Sequence, residues 1–238
     1  MNDFYAGLLS GLFSNIICNP FDVIRTNKQL NNKIYYNISF LTRGLKSGII
    51  TIPTFWSIYF ETYKNFKEYN KTNYKFLNGY LSSNISSTIT CPLWFIRQKN
   101  QISDKFNVID FYKKNGIKPF YNALFNTYLI NSSFIIQIPV YEKLKIDKTI
   151  SKKIKNDTIR IFLITSFSKI LASCVFYPFD TIRTLKRNHF NDSYLNIIKK
   201  LNKNPINYYN GLYIYLIRSI PYHTSVFCSY EYLINKKL

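Results

Sequence analysis

Residues 7–29 read GLLSGLFSNIICNPFDVIRTNKQ, an apolar run rich in small residues that ends in proline, an acid two positions later and a base three positions after that. The stretch returns as GYLSSNISSTITCPLWFIRQKNQ over 79–101 and as TSFSKILASCVFYPFDTIRTLKR over 165–187, with Pro20, Pro92 and Pro178 in the same column. Such self-similarity decides architecture ahead of local propensity, because each copy is a unit that buries its apolar face only against its neighbours. Proline inside a helix removes a hydrogen bond and kinks the rod. Three equivalent kinks bring three helix ends together, which predicts a closable basket.

Each copy closes on a second mark: Phe60-Glu61-x-x-Lys64, Tyr141-Glu142-x-x-Lys145 and Tyr230-Glu231-x-x-Ile234. Three repeats follow, over 1–70, 71–150 and 151–238, each with a proline end and a glutamate end. Phe76–Ile96 and Pro119–Tyr141 carry few charges and come near the roughly 20 residues that cross a bilayer as helix, so they are expected as the clearest spans. Ser47–Phe60 is short, and Lys169 and Arg218 interrupt the fifth and sixth spans. Gly7 with Gly11, and Gly79 with Ser83, are small-xxx-small pairs that allow close helix approach. The fold class expected is an all-α membrane protein of six transmembrane helices in three pseudo-threefold-related repeats.

Composition narrows the function. A net charge of +20 on 238 residues suits a nucleic-acid binder, an anionic membrane surface or a transporter that draws in anions. Abundant Asn, Lys, Ile and Tyr reflect an AT-rich genome, which accounts for part of the excess lysine. Cys18, Cys91, Cys174 and Cys228 are far apart, with only His189 and His223 as further soft ligands, which speaks against a zinc site or a disulfide framework. No catalytic triad, Gly-rich phosphate loop or metal cluster is present in the sequence, so no enzyme activity, cofactor or metal is expected. Phe4–Asn19 lacks the basic flank and cleavage site of a signal peptide and is read as part of the mature protein.

The triplicate P-x-[DE]-x-x-[KR], each followed by a helix ending in an aromatic-acid pair, resembles the mitochondrial carrier family over essentially the whole chain. Pro20-Phe21-Asp22 with Arg25 and Pro178-Phe179-Asp180 with Arg183 match the family motif; Pro92-Leu93-Trp94 with Arg97 has tryptophan where the acid belongs. Gln29 and Gln101 hold the family's brace position. The resemblance implies a matrix gate that pairs Asp22 with Arg97 and Asp180 with Arg25 and leaves Arg183 without a partner. It implies a cytoplasmic gate that pairs Glu61 with Lys145 and Glu231 with Lys64, while Glu142 faces Ile234. Both missing links fall between repeats two and three; a reduced network lowers the energy of opening, unless Trp94 packs and Lys236 substitutes. A carrier of this composition and length also resembles one encoded by a giant DNA virus, in which case the membrane is the host's mitochondrial inner membrane.

The resemblance also locates a substrate site. Arg218, in Arg-x-x-Pro with Pro221, matches a cavity-facing contact point, and a guanidinium grips phosphate or carboxylate with two hydrogen bonds. Counting back from Glu61 and Glu142 places Gly48 and Ile49, and Leu129 and Ile130, at the matching points. A small or aliphatic pair there resembles nucleotide carriers. Lys169 adds a charge one turn before Ser173, whose counterparts are Asn15 and Ser87, and Tyr80 and Tyr128 are candidates for base stacking.

The expected function is transport of nucleotides, including deoxynucleotides, across the mitochondrial inner membrane by alternating access, as exchange and as a monomer. The partners expected are a small anionic solute and the bilayer with cardiolipin, and no nucleic acid. The nearest alternative is a carrier of phosphate or a carboxylate. From other classes come a non-transporting membrane partner and a basic helical nucleic-acid binder, the latter leaving the three prolines unexplained.

Overall fold

The computed structural model describes residues 3–69, 75–103, 106–147 and 157–219, and among them every regular element is helical. Long rods run over Asp3–Gln29 (α1), Leu45–Tyr69 (α3), Lys75–Ile102 (α4) and Asp157–Asn188 (α9). A further helix covers 212–219 (α11). Between the rods at the proline end lie short helices, Ile38–Leu41 (α2), Val108–Asn115 (α5) and Tyr194–Asn202 (α10), with a 3₁₀ turn at Pro205–Tyr209. Asn37, Asn107 and Ser193 cap these three helices through side-chain oxygens, each accepting the backbone N–H of the first turn that helix geometry leaves unpaired.

The expected span over Pro119–Tyr141 is not one rod. It is built from Lys118–Tyr121 (α6), Leu124–Asn131 (α7) and Phe134–Ile146 (α8). At the second junction Ser132 N–H donates to Leu129 O at 3.2 Å and Ser133 N–H to Ile130 O at 3.0 Å, the tighter i→i+3 pattern. The Ser132 hydroxyl donates to Tyr128 O at 3.1 Å, a local bond that competes with the regular ladder.

Nor is Phe76–Ile96 the clearest span by apolarity. Among the described residues the helix long and apolar enough to cross a membrane is Ile159–Asn188 in α9, the rod that Lys169 was expected to obscure. The Ser and Thr residues that dilute α4 point inward: Ser82, Ser83, Ser86, Ser87 and Thr90 are buried, and Ser86 and Thr90 bond carbonyls of their own helix. Outward, α9 exposes Ile159, Leu163, Phe167, Leu171 and Val175 at every fourth position, and α4 exposes Ile85 and Ile89. A polar interior under an apolar exterior inverts the arrangement that water favours, and a bilayer is the solvent that fits it. This is an all-α membrane protein.

α1 packs along α3, α3 along α4, α4 against α6 to α8, and α7 and α8 against α9; α1, α4 and α9, the helices holding Pro20, Pro92 and Pro178, also touch one another. Tight turns fix where the return helices start. Gly44 has φ 69° and a Cβ there would lie 3.1 Å from Arg97 O; Gly211 has φ 82° and a Cβ there would lie 3.3 Å from Arg25 O. Only glycine meets both the left-handed backbone and the close approach.

Candidate functional site

The rods enclose a cavity of about 380 Å³ that reaches the proline end. One wall is aromatic, with Phe55 and Trp56 from α3, Trp94 from α4, Phe134 from α8 and Phe176 from α9. The lining is also charged: Arg25, Arg97, Arg183, Arg187 and Arg218 toward the proline end, and Lys169 higher on α9 beside Phe134, face two carboxylates, Asp22 and Asp180. Such an excess of buried cations is costly unless an anion joins them.

Two carboxylates organise four of these cations. Asp22 Oδ2 lies 3.0 Å from Arg97 Nη2 and Asp22 Oδ1 lies 3.3 Å from Arg218 Nε, so one acid ties α1 to both α4 and α11. Arg97 also donates to Asn15 Oδ1 at 3.1 Å. Asp180 Oδ2 lies 3.8 Å from Arg25 Nη1 and accepts from Gln29 Nε2 at 2.9 Å. Gln29 reaches Tyr177 OH too, at 3.1 Å, which fixes the amide beside the ion pair. Aromatic faces hold the guanidinium planes: Arg97 sits over Trp94 at 5.4 Å, and Arg25 and Arg218 over Tyr215 at 5.4 and 5.3 Å. The pairs Asp22–Arg97 and Asp180–Arg25 are those the family resemblance implied.

Arg183 departs from the expectation that it lacks a partner. It bonds Asp180 Oδ1, the acid one turn back on its own helix, so Asp180 serves two arginines and Gln29. Gln101, the second brace residue, accepts instead from Thr26 Oγ1 at 3.0 Å. The α4/α9 seam, where Trp94 replaces an acid, is joined by bonds to carbonyls. Gln98 Nε2 donates to Thr184 O at 2.8 Å, and Lys99 Nζ donates to Asn188 O at 3.0 Å and Asn188 Oδ1 at 3.3 Å. Lys99 lies beyond the Phe76–Ile96 stretch, between the rings of Phe95 and Phe190, and burial there pushes its ammonium down to about 8.

A set of contacts that the sequence reading missed sits one residue before each proline. Asn19 Nδ2 donates to Leu41 O at 3.0 Å and Arg43 O at 3.1 Å, Cys91 Sγ to Phe120 O at 3.3 Å, and Tyr177 OH to Asn210 O at 2.9 Å. All three side chains are buried. Each ties a kinked rod to the turn that starts the next helix. The shared column before the proline was visible in the aligned repeats, but amide, thiol and phenol share no motif.

The expected contact points divide. Arg218, Lys169, Ile130, Ser87 and Ser173 line the cavity, whereas Gly48, Ile49, Leu129 and Asn15 do not. A Cβ on Gly48 would lie 2.3 Å from Asn15 Oδ1, so that glycine serves helix packing. Counted forward from the glycine turn rather than back from Glu61, the cavity-facing residue of α3 is Ile52, followed one turn on by Phe55 and Trp56. Repeat one is shorter between its turn and its glutamate, which shifts the count. Lys169 Nζ sits over Phe134 at 5.8 Å, Asn131 Nδ2 donates to Ser87 Oγ at 3.1 Å, and Ser173 Oγ shares a hydrogen bond of 3.2 Å with Tyr215. Tyr80 stacks on Phe76 and Tyr128 bonds Thr88, outside the cavity lining.

The glutamate end is open where it is described. Glu61, Lys64, Glu142 and Lys145 are exposed, and no ion pair joins any of them to another described residue. Glu231, Ile234, Lys236 and Pro221 lie outside the described residues.

Residues 155–237 match the family described as Mitochondrial carrier protein. Mitochondrial substrate carrier family protein W of Dictyostelium discoideum is 27% identical over 96% of this chain and 84% of its own length. Mitochondrial nicotinamide adenine dinucleotide transporter 1 of Saccharomyces cerevisiae is 25% identical over 97% of this chain and 76% of its own. Solute carrier family 25 member 33 of Mus musculus is 24% identical, covering 82% of this chain and 70% of that protein.

Proposed function

From the premise that the chain belongs to the mitochondrial carrier family, a solute carrier and not an enzyme, we propose that it exchanges nucleotides, deoxynucleotides included, across the mitochondrial inner membrane. The observation that carries this reading is a cavity lined by aromatic rings together with six cations and two carboxylates. Flat rings suit a nucleobase, and guanidinium forks suit phosphate oxygens. One relative by name transports a dinucleotide, which supports the same class.

The proposed units are repeats over 1–70, 71–150 and 151–238. Asp22, Arg25, Arg97, Asp180 and Arg183, with Gln29 and Gln101, are the matrix gate beyond Pro20, Pro92 and Pro178. Glu61 with Lys145 and Glu231 with Lys64 are the cytoplasmic gate, of which Glu61 and Lys145 form no ion pair among the described residues. The carrier works as a monomer, with cardiolipin among its lipids.

Arg218 couples binding to opening. It lies 3.3 Å from Asp22, so a phosphate that takes this guanidinium competes with the acid that also holds Arg97. Breaking a buried ion pair costs about 3–5 kcal/mol. Each new hydrogen bond to a charged group returns roughly 1.5–3 kcal/mol, so two or three substrate contacts offset one broken link. Empty carrier stays shut at the proline end, and loaded carrier opens there, which is the condition for exchange.

The test is uptake of labelled nucleotides, inorganic phosphate and dicarboxylates into liposomes holding the purified protein. Nucleotide uptake is expected, with Arg218→Ala abolishing it. Uptake of phosphate or dicarboxylate alone overturns the nucleotide reading, and folded protein that moves no solute overturns transport.

A further inference from the structure

The carboxylates of the cavity are fully committed, yet one arginine is left over. Asp22 serves Arg97 and Arg218, and Asp180 serves Arg25 and Arg183. Arg187 stands nine positions after Pro178, the column that Gln29 and Gln101 fill after Pro20 and Pro92. It is 5% exposed, it lines the cavity, and its Nε has no hydrogen-bond partner among the described residues. No carboxylate among those residues lies within ion-pairing distance of it. Its near neighbours are the Cys91 thiol, to which it hydrogen-bonds, the guanidinium of Arg183 one turn back, and beyond ion-pairing distance Asp180, which already serves Arg25 and Arg183; none neutralises it.

We propose that Arg187, flanked by Arg183, is an anion subsite on the α4/α9 seam that takes the outermost phosphate of the transported nucleotide, in the place left empty of charge by Trp94. A buried guanidinium without a counter-ion costs several kcal/mol, and a phosphate is the anion whose oxygens fit its planar fork. The subsite rests on the nucleotide reading and sharpens it: Arg218 at the α1/α11 corner and Arg187 at the α4/α9 seam hold one solute at two places. Affinity therefore increases with the number of phosphates, because only a longer chain spans both.

Two measurements test this on the full chain, with Arg187→Gln, which installs the residue of the other two repeats and removes the charge. The first is thermal unfolding in detergent with pyrophosphate as probe. Pyrophosphate raises the midpoint of the wild type, by less in Arg187→Gln and by an intermediate amount in Arg187→Lys; an equal rise in wild type and Arg187→Gln, or none in the wild type, overturns the subsite. The second is competition for uptake in liposomes by nucleoside mono-, di- and triphosphates. The preference of the wild type for di- over monophosphate falls about tenfold or more in Arg187→Gln, as expected for one lost charge-assisted contact. Equal weakening toward all three overturns the assignment to the outermost phosphate. If the wild type moves no nucleotide while its pyrophosphate effect depends on Arg187, the nucleotide reading fails and the subsite stands.

Discussion

The seams that α1 makes at the proline end and the seam between α4 and α9 close by different chemistry. α1 is tied to α4 by Asp22–Arg97 and to α9 by Arg25–Asp180, ion pairs buried among aromatic rings and amides. α4 is tied to α9 by an amide and an ammonium that donate to backbone carbonyls, with tryptophan where the acid is missing. The first kind is strong only while both partners remain, because removing one strands a buried charge. The second is weaker per contact but leaves nothing stranded, since a carbonyl at a helix end turns readily to water. If these seams are the proposed gate, two hard links and one soft one give it a side on which opening begins.

The comparison is broken most sharply at Asp22. Asp22→Asn strands Arg97 and Arg218 together, and unfolding free energy is expected to fall by about 3–5 kcal/mol, read from thermal unfolding in detergent. A loss no larger than that of the α4/α9 variants below would mean that the two kinds of seam do not differ.

Trp94→Asp converts the soft seam into a hard one. A carboxylate in this column, which the family resemblance pairs with Arg183, is expected to stabilise the closed proline end by roughly 1.5–3 kcal/mol, to slow exchange and to abolish the pyrophosphate effect. A lower unfolding midpoint would show that indole packing, not absent charge, defines this seam.

Gln98→Ala removes the bond to Thr184 O and is expected to cost about 1 kcal/mol while leaving exchange as fast or faster. Slower exchange would make the amide part of the transport path instead of a latch.

The smallest effect is in pH. Lys99 in the folded protein titrates near 8, below the roughly 10.4 of a free lysine, so between those values the unfolded chain binds more protons than the folded one. Stability from this group is therefore present above the upper value and lost as pH falls through the lower. The unfolding midpoint of the wild type is expected to rise relative to Lys99→Met between about pH 8 and 10. Parallel curves would place Lys99 in water.

Much of this was legible in the aligned repeats. Asp22, Arg97, Asp180 and Arg25 stood out from motif spacing, because a threefold repeat puts equivalent residues in one column, and the resemblance to the carrier family named the partner of each. The α3 contact residues were not, because the count ran back from Glu61; Ile52 and Phe55 follow when it runs forward from the turn at Gly44. The segments α6 to α8 read as one span because hydropathy is blind to where serine hydroxyls compete for carbonyls. Arg187 was present in the third aligned stretch, and its significance depends on every nearby acid already being taken.

The sequence by itself determined the three proline-marked rods, the all-helical membrane class and the acids and bases of the proline end, since these depend on residue type at fixed intervals along the chain; the partners in two ion pairs came with the family resemblance that those motifs carry. Only the tertiary structure decided that Arg183 turns back to Asp180, that Arg218 shares Asp22, that carbonyls close the α4/α9 seam and that Arg187 has no carboxylate. A charge selects its partner by distance and competition among all the groups that folding brings to it, and no interval along the chain encodes that competition.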